Sequence, residues 1–265
     1  MRYYMLNKPR GVVTATADPI FGTVMDCFPK DLSTGLHPVG RLDIDTEGLL
    51  IITDDGELTF RLTRPEFGFV KRYFFMAFGS LSAAGAEKIE HGGTLFGNGR
   101  PAKPAHIEQL EHRTVAACSS FIPPERFEHC MKNPAGIVST GVIAVTEGQK
   151  HEVKLLLRGA GCSVFYLKRL SVGEITLDES LAPGEYREFT PTEHASSKNT
   201  EKYGLIYERR KLRSYIRGSA AGYIAPAARL CPCFTRVRFF ALWTKSKGVR
   251  AVRAHFEGVE PPRQR

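Results

Sequence analysis

Residues 40–58 read GRLDIDTEGLLIITDDGEL, and three kinds of local structure succeed one another within them. Residues 40–48 are polar and dense in charge, the composition of a loop. Leu49, Leu50, Ile51, Ile52 and Thr53 form a short apolar run of the kind that makes a buried strand. Asp54-Asp55-Gly56 is a turn signal, and Leu58 and Leu62, four apart, predict a helix over residues 57–63. A loop that feeds straight into a buried strand is held by a rigid scaffold, and such loops present functional side chains. An extended backbone here would turn Arg41, Asp43 and Asp45 to one side, with Arg41 placed to keep a carboxylate ionised. An ionised carboxylate in a cleft serves as nucleophile or general base. The same residues also suit an acidic surface turn.

Outward from this stretch the chain alternates short strands with shorter helices. Strands are predicted over residues 2–7 and 12–14, separated by the turn chemistry of Lys8-Pro9-Arg10-Gly11, with a short helix near residues 24–28. The aromatic run 71–78 reads as a buried strand, and residues 82–90 read as a helix capped by Ser82. Residues 105–110 and 113–117 read as a hairpin. Residues 119–140, with Pro123-Pro124, Pro134 and Gly136, show no period and are read as an inserted loop. A strand over 142–146, a helix over 150–157 and strands over 164–170, 174–177 and 186–189 complete the pattern. Strands outnumber helices and hairpin signals are common. The expected fold class is therefore α+β, a mostly antiparallel mixed sheet with flanking helices.

Composition narrows the classes. Of 265 residues, 42% are apolar and 25% charged, as in a globular protein. No run approaches the ~20 apolar residues of a membrane span. The six cysteines are scattered, without zinc-site spacing, and read as reduced thiols. A cytoplasmic protein is the expectation. The net charge of +9 is uneven: residues 195–265 carry 16 Lys and Arg against 4 Asp and Glu. That is +12 in the last quarter, leaving −3 for residues 1–194. The expected division is a catalytic domain over 1–194 and a basic, poorly ordered extension over 195–265. Such a tail suits phosphate neutralisation, but the overall basicity says little about the rest.

Residues 40–50, GRLDIDTEGLL, resemble the signature of the pseudouridine synthases that act on ribosomal RNA, in the RsuA-like branch. The opening YMLNKPRG of residues 4–11 resembles that branch's entry motif. TDDGEL (53–58), RLTRP (61–65), KRY (71–73), EGQKHEVK (147–154), LKRLSVG (167–173) and LAPGEYR (181–187) follow in family order. The resemblance spans residues 2–193. It implies the pseudouridine synthase fold and the conversion of one uridine of ribosomal RNA to pseudouridine. It makes Asp43 the catalytic aspartate, Tyr73 the ring that stacks on the target base, and Lys154 the cation paired with the aspartate. Supporting or RNA-binding roles fall to Arg41, Asp45, Lys8, Lys150 and Arg169. The reaction is redox-neutral, so it implies no metal and no cofactor, and nothing demands more than a monomer.

Two departures stand out. Gln149 and Leu155 occupy positions where the branch usually carries basic residues, which should flatten the salt dependence of binding by about one unit of slope per lost phosphate contact. The chain is also expected to start at the catalytic domain, lacking the small S4 module of many relatives, with the basic tail supplying that binding. A non-catalytic RNA-binding or ribosome-assembly factor on the same fold is the alternative. A glycoside hydrolase using Asp43 and Asp45 fits poorly, because neighbours at i, i+2 could hardly flank one bond from opposite sides.

Overall fold

A computed structural model describes residues 1–198 except 93, 95, 97 and 98. The strands are β1 (Tyr3–Lys8), β2 (His37–Pro38), β3 (Glu47–Thr53), β4 (Lys71–Phe78), β5 (His106–Thr114), β6 (Ile137–Val145), β7 (Ser163–Val172), β8 (Ile175–Thr176) and β9 (Tyr186–Glu188). The helices are α1 (Lys30–Ser33), α2 (Gly56–Thr63), α3 (Ala83–Glu90), α4 (Pro124–Met131), α5 (Glu152–Gly159) and α6 (Pro191–Lys198), with 3-10 turns at Val24–Cys27 and Ala116–Phe121. The strands form one sheet in the order β5-β6-β4-β7-β3-β1-β9, with β2 beside β3 and β8 beside β7. Every ladder is antiparallel except β3 with β7, which is parallel over Glu47–Lys168 and Gly48–Arg169. The sheet is mixed and mostly antiparallel, flanked by helices, as expected.

The apolar run of β3 is buried because the sheet is covered on both faces. Side chains alternate along a strand. Leu49 and Ile51 join Leu58 and Leu62 of α2 on one side, and Leu50 and Ile52 join Val24 and Phe28 on the other. The strand β4 does the same with Phe75 and Ala77 against Leu156 and Leu157 of α5, and with Met76 against Val115, Cys118 and Ile122. Helix starts follow their caps. The Asp55 carboxylate accepts from the backbone N–H groups of Glu57 and Leu58, and the Ser82 hydroxyl accepts from that of Gly85.

Several sequence expectations are corrected. Residues 105–117 are no hairpin. One strand, β5, runs through them alongside β6, with an irregularity at Gln109 (φ 53°) that absorbs the break in pattern. Residues 12–14 contribute one bridge, Val13 to Thr23, and no strand. The segment 119–140 is ordered: it completes a 3-10 turn, forms α4 and enters β6. Its prolines start the helix, with Pro123 at the N-cap and Pro124 at the first helical position, where a missing N–H costs nothing. The helix α6 runs across the boundary expected at residue 194. Beyond residue 198 the basic extension lies outside the described residues.

Candidate active site

The loop that carries Asp43 is clamped from beneath by β1 and its exit. The Lys8 side chain is fully buried. Its ammonium donates to the carbonyl oxygens of Pro9 (2.9 Å) and Thr46 (2.9 Å) and lies 3.4 Å from that of Ile44. Gly11 N–H donates to the same Ile44 carbonyl at 2.8 Å. Thr14 Oγ1 donates to the Leu42 carbonyl and accepts from the Leu42 N–H, at 2.8 and 3.2 Å. Burial pushes the Lys8 amine down to about 8, the direction expected of a desolvated cation. Lys8 is thus out of reach of an RNA phosphate, and its place in the site is to hold the loop.

The loop is turned, not extended. Thr46 N–H donates to the Asp43 carbonyl at 3.0 Å. Asp43 and Asp45 nevertheless converge, because both reach one ammonium. Lys154 Nζ lies 2.9 Å from Asp43 Oδ2 and 2.5 Å from Asp45 Oδ1. For Asp45, burial pushes the carboxyl up, but the hydrogen bond and charge of Lys154 outweigh it and leave the group below its ordinary value. Arg41, expected to hold one of these carboxylates, is exposed and makes no ion pair with them among the described residues. It lines the cleft mouth.

A second neighbour of Asp43, an imidazole, has no counterpart in the sequence expectations. His151 Nε2 lies 3.5 Å from Asp43 Oδ1. Its backbone sits in the left-handed region at φ 57°, uncommon for a residue with a side chain and frequent where function constrains the chain. The signal was the spacing within EGQKHEVK: His151 precedes Lys154 by three and opens α5, so both come to one end of that helix.

Asp43, Tyr73, His151 and Lys154 line one cleft of about 270 Å³. That lies near the lower end of the roughly 300–1,000 Å³ of ligand pockets, a size for one base and not for a duplex. Tyr73 is half-buried on β4, packed against the core from its cleft wall. Arg169 also lines the cleft, but it is buried and its Nε donates to the Leu49 carbonyl at 2.7 Å. Lys150 is exposed and does not border the cleft. Deeper in, Lys71 and Glu152 are buried ionisable groups on the same lining. Burial, helped by the charge of Arg169, pushes Lys71 down to about 8. Burial, with Glu147 nearby, pushes Glu152 up to about 7, although the Gln149 N–H bonded to it pulls the other way.

The turn reaches the cleft only because Gly48 lets two backbones meet. Its φ is +99°, and a Cβ there would lie 2.3 Å from the Arg169 carbonyl oxygen. No residue with a side chain fits that contact.

Compared with known proteins, residues 2–158 match the family described as RNA pseudouridylate synthase. The chain is 36% identical over 195 residues to ribosomal small subunit pseudouridine synthase A of Yersinia pestis, covering 74% of this chain and 72% of that protein. It is 37% identical over 192 residues to the uncharacterized RNA pseudouridine synthase YtzG of Bacillus subtilis, covering 72% and 71%. A crystal structure of a pseudouridylate synthase superposes with a TM-score of 0.59 at 32% identity, covering 74% of this chain and 73% of that one.

Proposed function

Because the chain belongs to the RNA pseudouridylate synthase family and is an enzyme that isomerises uridine to pseudouridine, we propose that it acts on ribosomal RNA, with Asp43 as the nucleophile. The observation that carries this reading is the convergence of the Asp43 carboxylate, the Lys154 ammonium and the Tyr73 ring on one cleft the size of a base. Relatives at 35–36% identity are named for the small ribosomal subunit, which supports ribosomal RNA as the substrate class.

A cleft this small admits a nucleotide only after it leaves its stack, at a cost of a few kcal/mol. Tyr73 offers a flat surface to the extruded base. Asp43 attacks the nucleotide, at the ribose carbon or at the base. The N1–C1′ bond breaks, the uracil turns, and a C5–C1′ bond forms. The C5 proton is lost and N1 gains one, so atoms and charge balance without any redox partner. A carboxylate leaves readily once the base has turned, and the enclosed walls hold the detached uracil against diffusion and water. Lys154 fixes the carboxylate that attacks, while Lys8, Gly11 and Thr14 fix the backbone beneath it.

The test is tritium release from unmodified small-subunit ribosomal RNA carrying uridine tritiated at carbon 5. The wild-type chain should release it, and Asp43→Ala should not, while circular dichroism stays unchanged. Release by Asp43→Ala at the wild-type rate would end the assignment.

A further inference from the structure

The turn that bears Asp43 borders a second concavity. Asp43 and Thr46 face the cleft, while Glu47, with Arg10 and Gly11, lines a separate open groove of about 560 Å³. The opposite wall of that groove is Phe121, with Ser120 and Pro123 beside it. Phe121 is 40% exposed. Its ring is held edge-on by Tyr166, centroids 4.9 Å apart at 65°. The Tyr166 hydroxyl in turn donates to Glu47 at 2.9 Å. Phe121 is therefore a fixed, open aromatic face. Arg10 is half-buried at the groove edge; among the described residues its guanidinium donates over a long 3.4 Å to the Phe165 carbonyl, and its charge is felt at Asp45.

We propose that this groove is a second RNA subsite, which takes an unpaired nucleotide adjoining the target uridine, its base stacked on Phe121 and its phosphate near Arg10. The inference rests on the reading of the cleft as the uridine site. A nucleotide in the cleft is covalently tied to neighbours that must leave past its rim, and the groove shares the catalytic turn as a wall. Gly11 at its edge donates to Ile44 within that turn. An open aromatic face with a guanidinium beside it is the chemistry that holds single-stranded bases. The carboxylates of Glu47 and Glu125 in the lining oppose a run of phosphates there, so the fit is to one base and not to a backbone track. The wall comes from residues 120–125, where the 3-10 turn meets α4, within the stretch 119–140 that reads in sequence as an inserted loop.

Fluorescence anisotropy with a short oligoadenylate, and with an abasic oligomer of the same length and charge, separates stacking from phosphate contact without requiring catalysis. Phe121→Ala should weaken oligoadenylate binding roughly five- to tenfold, the loss expected of one stacked base, and leave the abasic oligomer unchanged. Phe121→Leu, which keeps the packing against Tyr166, should weaken it too, so misfolding of the alanine variant does not blunt the test. Arg10→Ala should weaken both oligomers and lower the salt slope by about one. Phe127→Ala, on α4 but outside the groove lining, should change neither. With ribosomal RNA, Phe121→Leu should raise KM and spare kcat. Unchanged oligoadenylate affinity in a folded Phe121→Leu protein overturns the subsite. A wild-type protein that releases no tritium from ribosomal RNA, yet shows the Phe121 effect on binding, sinks the proposed substrate and keeps the groove.

Discussion

Replacing Lys154 with methionine removes the ammonium that Asp43 and Asp45 share, and its effects on stability and on activity should separate widely. The three side chains are 24%, 27% and 45% exposed. Hydrogen bonds to charged groups contribute about 1.5–3 kcal/mol when shielded, but solvent screening at such partly exposed pairs reduces this to about 1 kcal/mol or less. For a chain of this size that lowers Tm by about 2–4 °C. The sign with pH follows from Asp45. Its carboxyl is held below the ordinary value in the folded protein, so its contribution is present above the unfolded carboxylate range and fades as pH falls through the folded value. The Tm gap between wild type and variant should therefore close on acidification. Activity is another matter. Without the ammonium, the two carboxylates that converge on it at hydrogen-bond distance repel, and Asp43 leaves its position. A misplacement of about 1 Å costs roughly 100-fold, so single-turnover tritium release should fall about 100-fold or more with KM little altered. Lys154→Arg should recover part of the rate. If Lys154→Met keeps kcat within about threefold of wild type, under 1 kcal/mol of barrier, the lysine does not position the nucleophile and the reasoning fails.

Gly48→Ala should be far more damaging to the fold than any change at the cleft surface. Its Cβ meets the Arg169 backbone at 2.3 Å from the oxygen and 2.7 Å from the nitrogen, so β3 and β7 must part where they are parallel, at a cost of roughly 3 kcal/mol or more, visible as a lower midpoint in urea. Glu152→Gln should stabilise the protein at high pH only. The carboxyl is raised to about 7, so folding disfavours its ionisation. Stability is lost as pH rises from the unfolded carboxylate range to about 7 and stays lost above it. The variant should gain on the order of 1–3 kcal/mol at pH ~8 and almost nothing at pH ~4, as read by thermal melts at the two pH values.

The contrast between Lys8 and Lys154 shows how far sequence reaches. Lys8 ends the apolar run of β1 at a turn, Lys154 follows the polar start of α5, and neither local pattern says what the side chain meets. Only the assembled sheet separates them. The strand β1 lies between β3 and β9, which buries Lys8 beneath carbonyls from a loop 36–38 positions away. Lys154 stands 111 positions from Asp43, and α5 packs on β7, the strand beside β3, which brings them together. Nothing in the local pattern of either residue encodes that distance.

What the sequence alone determined was local or carried by motif order. Apolar runs specified β3 and β4, the Asp54-Asp55-Gly56 turn and the Ser82 cap marked where α2 and α3 begin, and blocks spread over residues 2–193 pointed to the family and to Asp43, Tyr73 and Lys154. These signals lie within a few residues of one another or in fixed succession, so a linear reading captures them. Tertiary structure alone decided that Asp43 and Asp45 share one ammonium, that His151 joins them, that Lys8 braces the loop, and that Pro123-Pro124 starts a helix bordering a groove. Each of these depends on which surfaces pack together and on what burial does to a charge, and burial is a property of the assembled chain rather than of any stretch of it.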